Sequence, residues 1–230
     1  MTYSEGVLKA ETLQGVLEEV RRDAFKSLVA SVGGELVYLG SLLSRVVGGR
    51  SRVRVIRISG RPAFSVALRK VSAGSYLVSE RGNRAYTPRS LVVYMLETGM
   101  LSAQALLEKL KPHRLPCLKC NSTLKTAVTA LRERGSIALP VCYAGQVTGV
   151  LTVADVVHYI LSAEHSKHQL VHTRVSRVAG SLLELEPLDE LDPVDALKRY
   201  SMLSHRTTGG VHVYDSSSLQ SALAAIAGVV

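Results

Sequence analysis

Tryptophan is absent from this 230-residue chain, and phenylalanine occurs only twice. So few large rings weaken a reading as a single-strand nucleic-acid binder, because that recognition relies on aromatic platforms. Three cysteines (Cys117, Cys120 and Cys142) are too few, and odd in number, for a disulfide framework. Buried or half-buried strand thiols are the expectation for them. Long apolar runs are missing as well. No segment reaches the roughly 18 to 20 residues that a membrane span needs, and the apolar stretch 222–230 is far shorter. The opening stretch 1–13 carries Glu5, Lys9 and Glu11 and has no continuous hydrophobic core of a secretory leader. These absences predict a cytoplasmic protein. Nor is there a nucleophile–base signature, a P-loop or a metal-ligand spacing, so catalysis is not expected.

What is present is enough to fold. Apolar residues make up 47% of the chain and charged ones 20%, a balance that buries a sizeable core and argues against disorder. The formal net charge of +9 points to an anionic partner, whether a nucleotide, a nucleic acid or a partly acidic protein.

The main signal is a repeated order of elements. In its clearest copy, the segment Leu115 to Cys120 precedes a helix capped by Thr123. Leu124, Ala127, Val128 and Leu131 recur there at helical spacing, up to a stop at Gly135. Two strand-like runs follow, Ile137 to Tyr143 and Gln146 to Leu151, joined by Ala144-Gly145, and then a helix from about Ala154. The order is strand, helix, strand, strand, helix. A second copy runs from a strand at Arg52 to Ile58 through a helix at Pro62 to Val71. Short strands at Tyr76 to Ser79 and Arg84 to Tyr86 come next, then a helix at Pro88 to Glu97. A first copy opens its helix at Thr12-Leu13 and its second helix at Ser41; a fourth opens them at Asp192-Pro193 and Ser218. The copies divide the chain into 1–50, 51–100, 112–164 and 170–230.

The stretch Leu139-Pro140-Val141 to Gly145, followed by Gly149-Val150-Leu151-Thr152-Val153-Ala154-Asp155, resembles the CBS domain. The likeness is good over the third copy, fair over the second at Tyr86 to Ser90, and rests on order and spacing in the other two. The resemblance implies an α/β (α+β) fold of four CBS-type β-α-β-β-α repeats arranged as two pairs, one with two and three with four. Such a layout is similar to the gamma subunit of AMP-activated protein kinase and to archaeal CBS proteins. It further implies a regulatory module that binds AMP, ADP, ATP or an S-adenosyl compound, signals to a partner protein and can dimerise. On that reading residues 100–230, beyond a join at 98–113, carry their own core and fold alone.

The third-copy motif has a physical logic of its own. Gly149 lets backbone approach closely, and the free N–H groups that open the next helix favour a phosphate. Thr152 is a donor to phosphate, and Asp155 is an acceptor for two ribose hydroxyls. The same four residues also spell an ordinary capping box, and both readings stand. Thr87 and Ser90 keep the hydroxyl but lose the carboxylate; Arg89 between them either meets a phosphate or lies in solvent. The family's adenine position maps onto 117–123, with Cys120 and Thr123, facing Thr173 to Val178. Cys117-Leu118-Lys119-Cys120 invites zinc, but zinc needs about four ligands, and residues three apart on a strand point oppositely. The basic stretch His165 to Arg177 fits a solvated linker or a contact to the phosphates of a ligand or of RNA or DNA, and the run Arg45 to Arg57 fits the exposed face of an edge strand. Nucleic-acid binding through this basic surface is the alternative function.

Overall fold

The computed structural model describes residues 3–22, 29–48, 53–81, 83–162, 167–179, 186–187, 192–199, 203–208 and 210–228. Its strands are β1 (Glu5–Gly6), β2 (Leu8–Ala10), β3 (Val29–Val32), β4 (Glu35–Tyr38), β5 (Arg54–Ile58), β6 (Ser75–Ser79) and β7 (Arg84–Tyr86). They continue with β8 (Leu118–Lys119), β9 (Ala138–Tyr143), β10 (Gln146–Thr152), β11 (Glu186–Pro187), β12 (Leu203–Thr207) and β13 (Gly210–Tyr214). The helices are α1 (Leu13–Arg22), α2 (Leu42–Val47), α3 (Phe64–Ser72), α4 (Pro88–Glu97) and α5 (Ala103–Leu110). Then follow α6 (Leu124–Arg134), α7 (Val153–Ser162), α8 (Pro193–Arg199) and α9 (Ser216–Ile226).

One topology occurs four times. An opening strand pairs in parallel with the next strand across a helix: β2 with β3 over α1, β5 with β6 over α3, β8 with β9 over α6, and β11 with β12 over α8. The strand just reached then pairs antiparallel with its successor, and a second helix closes the unit: α2, α4, α7 or α9. Local chemistry sets these boundaries. Thr123 caps α6 by accepting from the Thr126 N–H, and Gly135 ends it at φ 67°, a left-handed conformation that costs glycine little. Thr87 opens α4 through a capping box with Ser90, and Pro88 occupies the first turn, where no N–H is needed. Asp215 does the same for α9 with Ser218. The expected connector at 98–113 is more structured than the repeat pattern suggests, since it contains α5. Ser102 caps that helix, and Leu106 and Leu110 are buried.

The chain entering each half crosses to the sibling unit. β1 adds to the second unit's sheet beside β7, and Ser90 Oγ donates to the Tyr3 carbonyl. In the same way Leu115 N donates to the Val213 carbonyl on β13, and Ser218 Oγ donates to the His113 carbonyl. These crossings tie unit one to two and unit three to four through their sheets.

The helices tie the molecule together differently. α2 packs on α7, whereas α4 packs on α8 and α9 and α5 on α9. One apolar cluster joins Leu17, Leu42 and Leu43 of the first unit to Leu124, Leu131, Val156 and Val157 of the third. The other joins Val71, Leu91, Val92 and Leu106 to Leu197, Leu219 and Leu223. Each core is therefore shared by both halves of the chain. This corrects the expectation that residues 100–230 carry a core of their own: the closing helices bury their apolar faces across the midline.

Candidate functional site

Thr152 ends β10 opposite Ala138, and Val153 opens α7 with its N–H donated to the Ile137 carbonyl. Asp155 lies in the first turn of α7. Its Oδ2 accepts from the Thr152 amide at 2.9 Å and from the Thr152 hydroxyl at 2.7 Å, while the Asp155 amide donates to Thr152 Oγ1 at 3.0 Å. The capping-box reading is therefore realised in full. It uses only one carboxylate oxygen. Among the described residues Asp155 Oδ1 receives no donor, and the residue is half-buried rather than sealed. That oxygen suits the hydroxyls of a ligand; of the first three α7 amides Val153 and Asp155 are already donated, which leaves the Ala154 amide for a phosphate oxygen.

The α7 cap stands close to the place where all four units meet. Tyr38 Oη donates to the Gly135 carbonyl at 2.8 Å, and Tyr76 Oη shares a 2.7 Å hydrogen bond with Ser216 Oγ. The two rings meet edge to face at 5.0 Å between centroids. Asp215 Oδ2 accepts from the Ile137 amide, and Oδ1 accepts from the amide and hydroxyl of Ser217 and the amide of Ser218. Burial raises the Asp215 carboxyl above its ordinary value, opposed in part by these hydrogen bonds. Burial likewise raises the Tyr38 and Tyr76 hydroxyls, with the Asp215 carboxyl adding to the rise. The first and fourth units thus fill their own helix-opening positions with side chains. Repeat order alone did not reveal Tyr38, Tyr76 and Asp215; three polar side chains inside apolar strand ends were the available signal.

The other residues singled out from sequence lie elsewhere. Thr87 and Ser90 are buried and hydrogen-bonded to each other, and Ser90 also reaches Tyr3. Arg89 is neither in solvent nor aimed at an open site: it is buried and ion-paired with Glu5 at 2.9 Å. The segment holding Cys120 and Thr123 does face Thr173 to Val178. Ser176 N donates to the Cys120 carbonyl, Val175 N to the Ser122 carbonyl and Leu124 N to the Thr173 carbonyl. Thr123 Oγ1 is engaged by Thr126. This loop and the Asp155 cap are not neighbours, however. Lys119 pairs with Cys142 and Thr152 with Ala138, so the two lie at opposite ends of β9, about 13 Å apart at ~3.3 Å per residue.

The cysteines depart from the expectation of strand thiols. Cys117 and Cys142 form a disulfide with Cα atoms 5.8 Å apart, and Cys120 is the free thiol. The disulfide runs diagonally from Cys117, just before β8, to Cys142, which lies opposite Lys119 on β9, and a tally of cysteines carries no such placement. Among the described residues no group of three or more His, Cys, Asp or Glu side chains is placed to hold a metal ion. No helix among them is long and apolar enough to cross a membrane. Of the basic stretches, Arg54 and Arg57 are exposed on β5, at the edge of its sheet, and His172, Arg174 and Arg177 are exposed on the segment that pairs with the loop into α6. Arg50, Arg52 and His165 lie outside the described residues.

Residues 111–162 match the CBS domain family. No curated protein matches the sequence. Among solved structures, the chain is similar to protein MJ1225 from Methanocaldococcus jannaschii, put forward as an archaeal homolog of g-AMPK. That likeness has a TM-score of 0.58 at 9% identity and covers 94% of this chain and 95% of that one. An uncharacterized conserved protein from Pyrococcus horikoshii matches at 16% identity and TM-score 0.45, covering 82% and 84%. A signal-transduction protein with CBS domains from Burkholderia ambifaria matches at 21% identity and TM-score 0.41, covering 54% and 91%. Residues 111–162, the unit that holds Asp155, are thus a CBS domain, and the same β-α-β-β-α topology recurs along the chain in a fold similar to that of the archaeal protein.

Proposed function

We propose that the chain is a regulatory, non-catalytic module that binds an adenine nucleotide (AMP, ADP or ATP) or an S-adenosyl compound at the α7 cap. The observation that carries this reading is the half-satisfied Asp155 carboxylate. Oδ2 is held by Thr152, which fixes the group, and Oδ1 is left to accept ribose hydroxyls. The Ala154 amide in the first turn of α7 then meets the phosphate end, whereas the expected Thr152 donor is already spent on Asp155 Oδ2. The whole-chain likeness to a protein put forward as a g-AMPK homolog supports the same reading. Thr87, Ser90, Cys120 and Thr123 contribute less, because their polar groups are already spent in caps and backbone pairing. Output passes to a partner protein or through a homodimer.

A thermal-shift panel of AMP, ADP, ATP, S-adenosylmethionine and a short RNA tests this. At a hundred times its dissociation constant, a native-state ligand adds about 2.7 kcal/mol of stability. For a chain of this length that raises the melting point on the order of 5 to 10 °C. No shift with any adenosine compound at millimolar concentration removes the reading. The exposed Arg174, Arg177 and His172, with the net charge of +9, favour nucleic acid as the second reading. Its mark is affinity for the RNA that falls steeply with salt.

A further inference from the structure

We propose that Cys117 and Cys142 are a redox-responsive clamp on the loop that opens α6 and on the connector it pairs with. β8 is only two residues long and meets β9 at two register positions, Leu118 with Val141 and Lys119 with Cys142. So short a strand makes few backbone hydrogen bonds, and the disulfide is the covalent anchor at its start. Beyond the anchor runs a continuous ladder. Cys120 N donates to the Cys142 carbonyl at 3.1 Å, and Ser176 N donates to the Cys120 carbonyl at 3.1 Å. Val175 N and the Ser122 carbonyl are 2.8 Å apart, as are Leu124 N and the Thr173 carbonyl. The bond thus holds the edge strand in register, and the edge strand holds 173–176, the connector between the third and fourth units.

The clamp is open to reagents: Cys117 is exposed and Cys142 is half-buried. Exposed disulfides are the labile ones, whereas structural bonds resist reduction. The reductant is a dithiol. Its thiolate attacks the Cys117 sulfur, the Cys117–Cys142 bond breaks, and Cys142 leaves as a thiolate that takes up a proton. The reductant's second thiol then attacks the mixed disulfide and releases Cys117. Two electrons pass to the protein, and the dithiol becomes a cyclic disulfide. Cys120 remains a thiol in both states.

The test uses the full chain, with reduced and oxidised dithiothreitol as probes and no nucleotide present, so its result is independent of the adenylate reading. Alkylation followed by mass measurement should trap one thiol in the oxidised protein and three in the reduced protein. Hydrogen exchange at the amides of Cys120, Leu124, Val175 and Ser176 should quicken on the order of tenfold or more on reduction. Cys117→Ser and Cys142→Ser should each show the fast exchange under both conditions, and Cys120→Ser should keep the full response. Three alkylated cysteines after oxidation would show that no clamp forms. A clamp that forms but leaves those amides equally protected on reduction would be a passive cross-link. Either result overturns the proposal.

Discussion

Asp155 and Asp215 are both carboxylates in capping boxes, yet they occupy opposite ends of the box. Asp215 is the N-cap of α9, is 1% exposed and has donors on both oxygens. Asp155 sits three residues after its capping threonine, with one oxygen open. The consequences of substitution therefore diverge. Asp155→Ala should cost roughly 0.5 to 2 kcal/mol of stability as a lost cap. If the carboxylate holds a ribose, the variant also loses about ten- to hundredfold in adenylate affinity, as expected for charge-assisted hydrogen bonds. Asp155→Asn spares stability and still weakens binding, and Ser41→Ala at the matching position of the first unit serves as control. Calorimetric titration of folded Asp155→Ala with unchanged affinity would remove the assignment. For Asp215 the readout is pH. Its folded value lies above the ordinary 3.8, so its contribution to stability is full below that value and is lost as pH rises through the shifted one. Asp215→Asn abolishes this titration. From about pH 4 upward the wild type should lose melting temperature relative to the variant, and a difference independent of pH would contradict this origin.

The crossing segments matter most at the level of elements. Breaking a buried ion pair leaves its partner poorly compensated, so Glu5→Ala should cost on the order of 3 to 5 kcal/mol in urea unfolding. Lys198→Ala, which removes an exposed partner of Glu97, should cost less than about 1 kcal/mol. Similar losses for both variants would mean that β1 contributes little. Most elements could be read from sequence because their signals are local. The boundary between β7 and α4 follows from Thr87-Pro88, and those of α6 from Thr123 and Gly135. The hairpin at Ala144-Gly145, both with positive φ, is equally plain. β1 was not legible, because a two-residue strand has no periodicity and its partner lies far along the chain. α5 carried its own signal in Ser102, Leu106 and Leu110, but it lies outside the repeated order. The candidate site was half legible: Thr152 and Asp155 follow from a local motif, whereas their distance from Cys120 and Thr123 depends on strand register.

For the whole molecule the decisive fact is that both cores cross the midline. A piece spanning 100–230 would leave the α7 face that meets α2, and the α9 face that meets α4, without partners. Large exposed apolar patches drive association. The piece is therefore expected to self-associate or remain molten alone, and to become monodisperse when mixed with 1–99. Light scattering coupled to size exclusion decides this. A soluble, cooperatively unfolding monomer of 100–230 would mean that the shared cores add little to each half.

The crossed entry of β1 also fixes an order of events on the ribosome. Tyr3 and Ser90 are 87 positions apart, and Glu5 and Arg89 are 84 apart. Synthesis proceeds at about 5 to 20 residues per second, so the first strand emerges several seconds before its mate exists. β1 therefore has no strand to pair with while the first unit is the newest part of the chain. Its N-terminal residues stay open to proteases, chaperones and modifying enzymes through the early part of translation, and they close to all of these once the second unit is complete.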